Sequence, residues 1–153
     1  MSLAKDSGII FSARVGKHTD EFIEELVVST LGKTAAQEWD TDGWGGYERV
    51  LPVEVDHYID KASTQRSERT NGILRQQTGR WHRRQNKFSK VWEETEMTVR
   101  LMVSYFNWIW QHSRLKTTAA QRAGLAKLPW TWADASNVSH TSLWHYQFKL
   151  LTK

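Results

Sequence analysis

The chain has 153 residues, 39% of them apolar and 25% charged, with a net charge of +4. That length suffices for one domain with a core, and the lack of cysteine excludes disulfides and thiolate metal sites. No apolar run approaches the roughly 20 residues of a bilayer-spanning helix, and Met1 to Ser7 carry no signal-peptide pattern, so a cytoplasmic protein is expected.

Residues Gly8 to Gly16 read as a strand, with Ile9, Phe11, Ala13 and Val15 alternating between bracketing glycines. Thr19 or Asp20 can cap a helix that carries Phe22, Ile23, Leu26, Val27 and Leu31 on one face and stops at Gly32. Ala35 to Thr41 is a second strand, ended by Asp42-Gly43. Gly45-Gly46 loosens the next stretch, and Glu54 to Ile59 is a third short strand. Thr64 to about Arg80 reads as helix, with Gly72 a weak point inside it. Ser89 can cap the strongest helix, which has Glu93 and Glu94 in its first turn, where the helix dipole favours acids. Its apolar stripe is Trp92, Val99, Met102, Val103, Phe106, Ile109 and Trp110. Beyond Arg114 the pattern fades. Pro129-Trp130-Thr131-Trp132 is an aromatic knot, and Leu143 to Leu151 is a strand or short helix. This order predicts an α/β domain over 1–113, with 114–153 as an extension packed on it.

Charge is unevenly spread. His18 to Asp60 holds eleven acids and two bases, whereas Arg66 to Lys90 holds eight bases and one acid, Glu68. A basic block attracts polyanions because bound phosphates release counterions; it is also what a solvated helix face looks like.

Two places carry chemistry. Asp42 follows a predicted strand, where open α/β sheets place their ligands. Glu68, Asn71 and Arg75 are spaced to share one helix face, which presents a carboxylate, an amide and a guanidinium together. A carboxylate suits Mg²⁺, a guanidinium clamps phosphate, and the set suits two-metal phosphoryl transfer. The plainer reading is an Asp-Gly turn and a surface pair of Glu68 with Arg75.

The strings Thr41-Asp42-Gly43-Trp44 with Tyr47, and Thr64-Gln65-Arg66-Ser67-Glu68-Arg69-Thr70-Asn71 with Leu74-Arg75, resemble the insertion-sequence transposases of the IS-one family. Asp42 matches the family's second catalytic Asp, Glu68 its catalytic Glu and Arg75 its following basic residue, with 25 residues between the two acids. The resemblance runs over roughly Leu3 to Val138 and implies a ribonuclease-H-like fold, DNA cleavage and strand transfer at transposon ends, and Mg²⁺ or Mn²⁺ held by Asp42 and Glu68. It implies DNA contacts from Arg66, Arg69, Asn71, Arg75, Arg80, Arg83 and Arg84. Trp81 and His82 are candidates for stacking or bonding to nucleotides, with packing or exposure equally open, and Asp40 is a weaker metal-ligand candidate.

The family's first catalytic Asp lies on a strand that precedes anything seen here. Asp6 aligns instead with the turn between the family's second and third strands. The expected domain is therefore a truncated ribonuclease-H-like fold of about three strands, lacking its first central strand, with a long C-terminal helix. In the family's spatial order 3-2-1-4-5, losing strand 1 and most of strand 2 removes the middle of the sheet and leaves Gly8–Gly16 as strand 3 and Ala35–Thr41 as strand 4, with edge polar groups that are costly to bury unpaired. Another chain, a second copy or a local rearrangement would fill the gap. The chain alone is expected not to cut DNA. The alternative reading is a non-catalytic remnant that binds nucleic acid or protein, as a regulator of the intact transposase or a subunit of a larger assembly.

Overall fold

The computed structural model describes residues 1–79 and 91–137. Among them are four short strands rather than three, and they form two separate pairs. β1 (Ser2–Leu3) and β2 (Ile10–Ser12) are antiparallel, with Ser2 opposite Ser12, Leu3 opposite Ile10 and a bulge between. The turn between them holds Asp6 and closes through Gly8 N–H to Ala4 O at 2.9 Å and Ala4 N–H to Ile9 O at 2.8 Å. β3 (Glu38–Thr41) and β4 (Asp56–Ile59) are parallel, with Trp39 opposite His57 and Thr41 opposite Ile59. Among the described residues no strand pairs with the remaining edge of β1 or of β3.

The free edge of β2 is closed differently. Asn107 is fully buried; its side-chain oxygen accepts from Ile10 N–H at 2.9 Å, and its amide nitrogen donates to Ile10 O at 2.9 Å. In an antiparallel strand one residue's N–H and C=O point to the same side. The Asn107 amide thus stands in for one residue of a neighbouring strand.

Helix α1 (Asp20–Leu31) begins as its sequence implies, with the Thr19 hydroxyl accepting from Phe22 N–H. It ends at Gly32, whose φ of −65° is right-handed, so the stop does not use glycine's left-handed freedom. Ile23, Leu26 and Val27 are buried along it. A short helix α2 (Gly46–Val50) occupies the segment expected to be loose, and packs against α1. Gly46 is buried because the Trp44 indole lies directly over it, leaving no room for a Cβ. α3 (Lys61–Thr78) packs against β3.

α4 (Trp92–Ser104) runs into a single π-helical turn, Tyr105–Ile109. Its N-cap is Val91, without a side-chain cap, and Ser89 lies outside the described residues. The expected stripe holds for Val103 and Phe106, which are buried, and for Val99, Met102 and Trp110, which pack at the margin of the core. Trp92 departs from it: at 52% exposure it faces solvent. α5 (Ala119–Arg122) opens on a capping box between Thr118 and Gln121, and α6 is Trp132–Asn137. The aromatic knot docks on the π turn, with Trp130 stacked on Trp108 at 4.4 Å and Trp132 on Tyr105 at 5.5 Å. The segment Leu143 to Leu151 lies outside the described residues.

Each strand pair has its own core. Ile9, Ile10, Leu74, Val103, Phe106 and Ala119 gather behind β2, whereas Ile23, Val27 and Trp39 gather between α1 and β3. α1 also reaches the hairpin through polar contacts, from the Thr30 hydroxyl to that of Ser2 at 2.6 Å and from Ser12 to Ser29 at 3.0 Å.

Candidate nucleic-acid and metal site

Asp42 comes one residue after the C-terminal end of β3. Its main chain is fixed: its carbonyl accepts from Trp44 N–H at 2.7 Å and from the Thr41 hydroxyl at 3.1 Å. The same Thr41 hydroxyl lies 2.6 Å from His57 Nε2 on β4. The Asp42 carboxylate is exposed, and among the described residues it has no hydrogen bond or ion pair. Its charge is felt by two neighbours. The Tyr47 hydroxyl is pushed up, first by burial and then by Asp42. The Met1 amino group is pushed below its ordinary value by burial, with Asp42 acting against the shift.

Glu68 lies on α3. At about 100° per residue, Glu68 and Arg75 sit nearly one above the other, with Asn71 close by. Thr70 and Leu74 point the opposite way and are buried. Glu68 and Arg75 are exposed and Asn71 is half-buried. Among the described residues Glu68 and Arg75 form no ion pair, so the surface-pair reading has no support.

The hairpin turn ties α3 to β3. Lys5 Nζ reaches the Asp40 carboxylate at 3.2 Å, and Arg66 Nη1 donates to Asp6 O at 3.0 Å. Asp40 is thus engaged by Lys5, while Asp42 is left open. Arg66 is half-buried and Arg69 is exposed. Arg80, Trp81, His82, Arg83 and Arg84 lie outside the described residues. One basic residue at this face escaped sequence reading. Arg122 donates from Nε to Ser7 O at 2.8 Å and from Nη1 to Thr117 O at 2.8 Å, which brings it to the same turn as Arg66. It stands alone in a stretch without periodic signal, so nothing local marked it.

Exposed carboxylate oxygens without internal partners suit a hard divalent cation. Among the described residues, however, no three His, Cys, Asp or Glu side chains converge in a group suited to metal.

The chain belongs to the IS1 transposase family, whose sequence model matches residues 3–109. It is 37% identical over 92 residues to the insertion element IS1 protein InsB of Shigella flexneri, covering 60% of this chain and 66% of that protein. It is 43% identical over 61 residues to the insertion element IS1 2 protein InsB of Escherichia coli (strain K12), covering 40% of this chain and 36% of that protein. The chain thus spans less than two thirds of the length of these relatives. No solved structure matches. No helix among the described residues is long and apolar enough to cross a membrane.

Proposed function

We propose that this chain is the downstream part of a DDE transposase catalytic domain, in which Asp42 and Glu68 are two of three metal-holding carboxylates. The observation that carries it is the arrangement of the strands. An antiparallel pair and a parallel pair are joined by Lys5 to Asp40, and among the described residues no strand pairs with the outer edge of β1 or of β3. In this reading they are the two flanks of one ribonuclease-H-like sheet in the order β2-β1-gap-β3-β4. In this reading the central strand, absent among the described residues, carries the third carboxylate. A partner chain or a second copy can offer it by pairing with the open edges.

Asp42 and Glu68 would hold one Mg²⁺ or Mn²⁺ through hard oxygens, as an ion that takes few carboxylates and completes its shell with water and phosphate. Bound there, the metal supplies charge neutralisation to an in-line displacement at phosphorus. The chain's own groups do the rest. Arg66, Arg69, Asn71 and Arg75, continued by Arg80, Arg83 and Arg84, hold the DNA backbone at transposon ends. Residues 1–113 make the catalytic unit and 114–153 brace it.

Mn²⁺ added to the full chain tests the pairing of the two acids. Paramagnetic broadening of backbone amides is expected around Thr41–Gly43 and Ser67–Arg69 together, and lost in both places on Asp42→Asn or Glu68→Gln. Broadening at one motif alone, or broadening that survives both substitutions, would refute a shared site.

A further inference from the structure

Arg66 and Arg122 are held together without an acid between them. An ideal Cβ on Gly8 would lie 3.6 Å from Arg122 Nη2 and 3.7 Å from Arg66 Nε, so both guanidinium groups close on the same point above the turn. Among the described residues, neither has a carboxylate within ion-pair distance. Asp6 offers Arg66 its main-chain carbonyl, not its carboxylate. The charge of Arg66 adds to burial in pushing the Arg122 guanidinium below its ordinary value, so the two cations feel each other.

Each guanidinium is fixed on one side and unused on the other. Arg66 spends Nη1 on Asp6 O. Arg122 spends Nε on Ser7 O, and Nη1 on Thr117 O and the Thr117 hydroxyl. A guanidinium has five N–H donors. Among the described residues, Nε and Nη2 of Arg66 and Nη2 of Arg122 therefore remain without partners, on side chains whose orientation is already set. Two like charges brought together this way cost free energy until an anion joins them. Gly8, at φ +72°, places no side chain over the junction.

We propose that Arg66 and Arg122 form a two-guanidinium clamp for a single phosphate group. Planar guanidinium forks match phosphate oxygens in pairs. Arg122 lies beyond the residues 3–109 that match the family, so it is an addition to the α3 face rather than a restatement of it. That the phosphate belongs to a nucleic-acid backbone rests on the function proposed above; the clamp itself rests on the geometry alone.

Two measurements on the full chain test it. In the first, binding to a duplex oligonucleotide is followed by fluorescence anisotropy across salt concentrations. One lost phosphate contact lowers the slope of log K against log salt by about 0.9. Arg66→Gln and Arg122→Gln are each expected to lower it by that amount, and the double variant by the same single step, because both hold one phosphate. Additive losses would overturn the shared clamp. An unchanged slope for Arg122→Gln, with a lowered one for Arg75→Gln, would overturn the clamp and leave the proposed function standing. The second measurement needs no variant. Guanidinium ¹⁵N resonances of the wild-type chain are followed during titration with the duplex and, separately, with inorganic phosphate. The Arg66 and Arg122 signals are expected to move together with the duplex. Movement with inorganic phosphate alone would keep the clamp and overturn the nucleic-acid source. Silence with both would overturn the clamp.

Discussion

Replacing Asn107 with alanine removes both hydrogen bonds that close the free edge of β2. Ile10 is 1% exposed and Asn107 is 0% exposed, so water cannot simply replace the amide. Each orphaned main-chain group costs about 1–3 kcal/mol, and the void adds to that. The expected loss is about 3–5 kcal/mol, a large share of the roughly 5–15 kcal/mol that holds a domain of this size together. Urea unfolding at equilibrium, followed in parallel by tryptophan fluorescence and far-ultraviolet circular dichroism, reads the loss directly. Asn107→Asp separates the two bonds. An ionised carboxylate still accepts from Ile10 N–H but faces Ile10 O with no proton to donate. Once protonated, it can donate. This variant should therefore be destabilised at neutral pH and regain stability relative to wild type as the pH falls. A loss below about 0.5 kcal/mol for Asn107→Ala, the range of an ordinary surface change, would refute the idea that this amide replaces a strand.

Burial lowers the Lys33 ammonium from 10.5 to about 8, with Arg14 contributing, although its Nζ donates to Phe11 O at 2.6 Å. The folded value lies below the unfolded one, so the burial cost is full below about pH 8 and fades as pH rises toward 10.5; stability should rise over that window in the wild type, and the rise should vanish in Lys33→Met. The Arg49 guanidinium holds the exposed Asp20 carboxyl below its ordinary range, with contacts of 2.7 Å to both oxygens. That contribution should be present above pH 3.8 and disappear as pH falls through the folded value, and acid titrations of Asp20→Asn should lack it. Gly46→Ala should destabilise, although alanine favours helix by about 1 kcal/mol, because its Cβ would overlap the Trp44 ring; a higher melting temperature would contradict this. Thr118→Ala removes a buried cap and should cost about 1 kcal/mol in the same urea assay.

The legible parts of the fold were those in which local chemistry and tertiary demand agree. Thr19 caps α1, and its apolar face is buried as its spacing implies. Asp42 follows the predicted strand and Glu68 lies on the predicted helix, and both are exposed. The failures have physical reasons. β1 has two residues, too few for alternation to show. α2 was hidden by Gly45-Gly46, because the need for Gly46 comes from the Trp44 ring above it and not from a flexible chain. Asn107 carries no signal in its own sequence neighbourhood, and only its partner 97 residues away explains it. Arg122 is likewise defined by Ser7, 115 residues distant. Trp92 fits the spacing of the stripe, but at the first position of α4 it lies beyond the core that Val103 and Phe106 enter.

The central claim is that Asp42 and Glu68 become a working site once the sheet is completed. The direct measurement is Mg²⁺-dependent nicking of insertion-end DNA by the purified chain, alone and joined to a segment that supplies the proposed central strand and its carboxylate. No nicking is expected from the chain alone. Nicking is expected from the completed protein, and its loss with Asp42→Ala or Glu68→Ala. Nicking by the chain alone that depends on Asp42, or nicking by the completed protein that survives both substitutions, would contradict the claim.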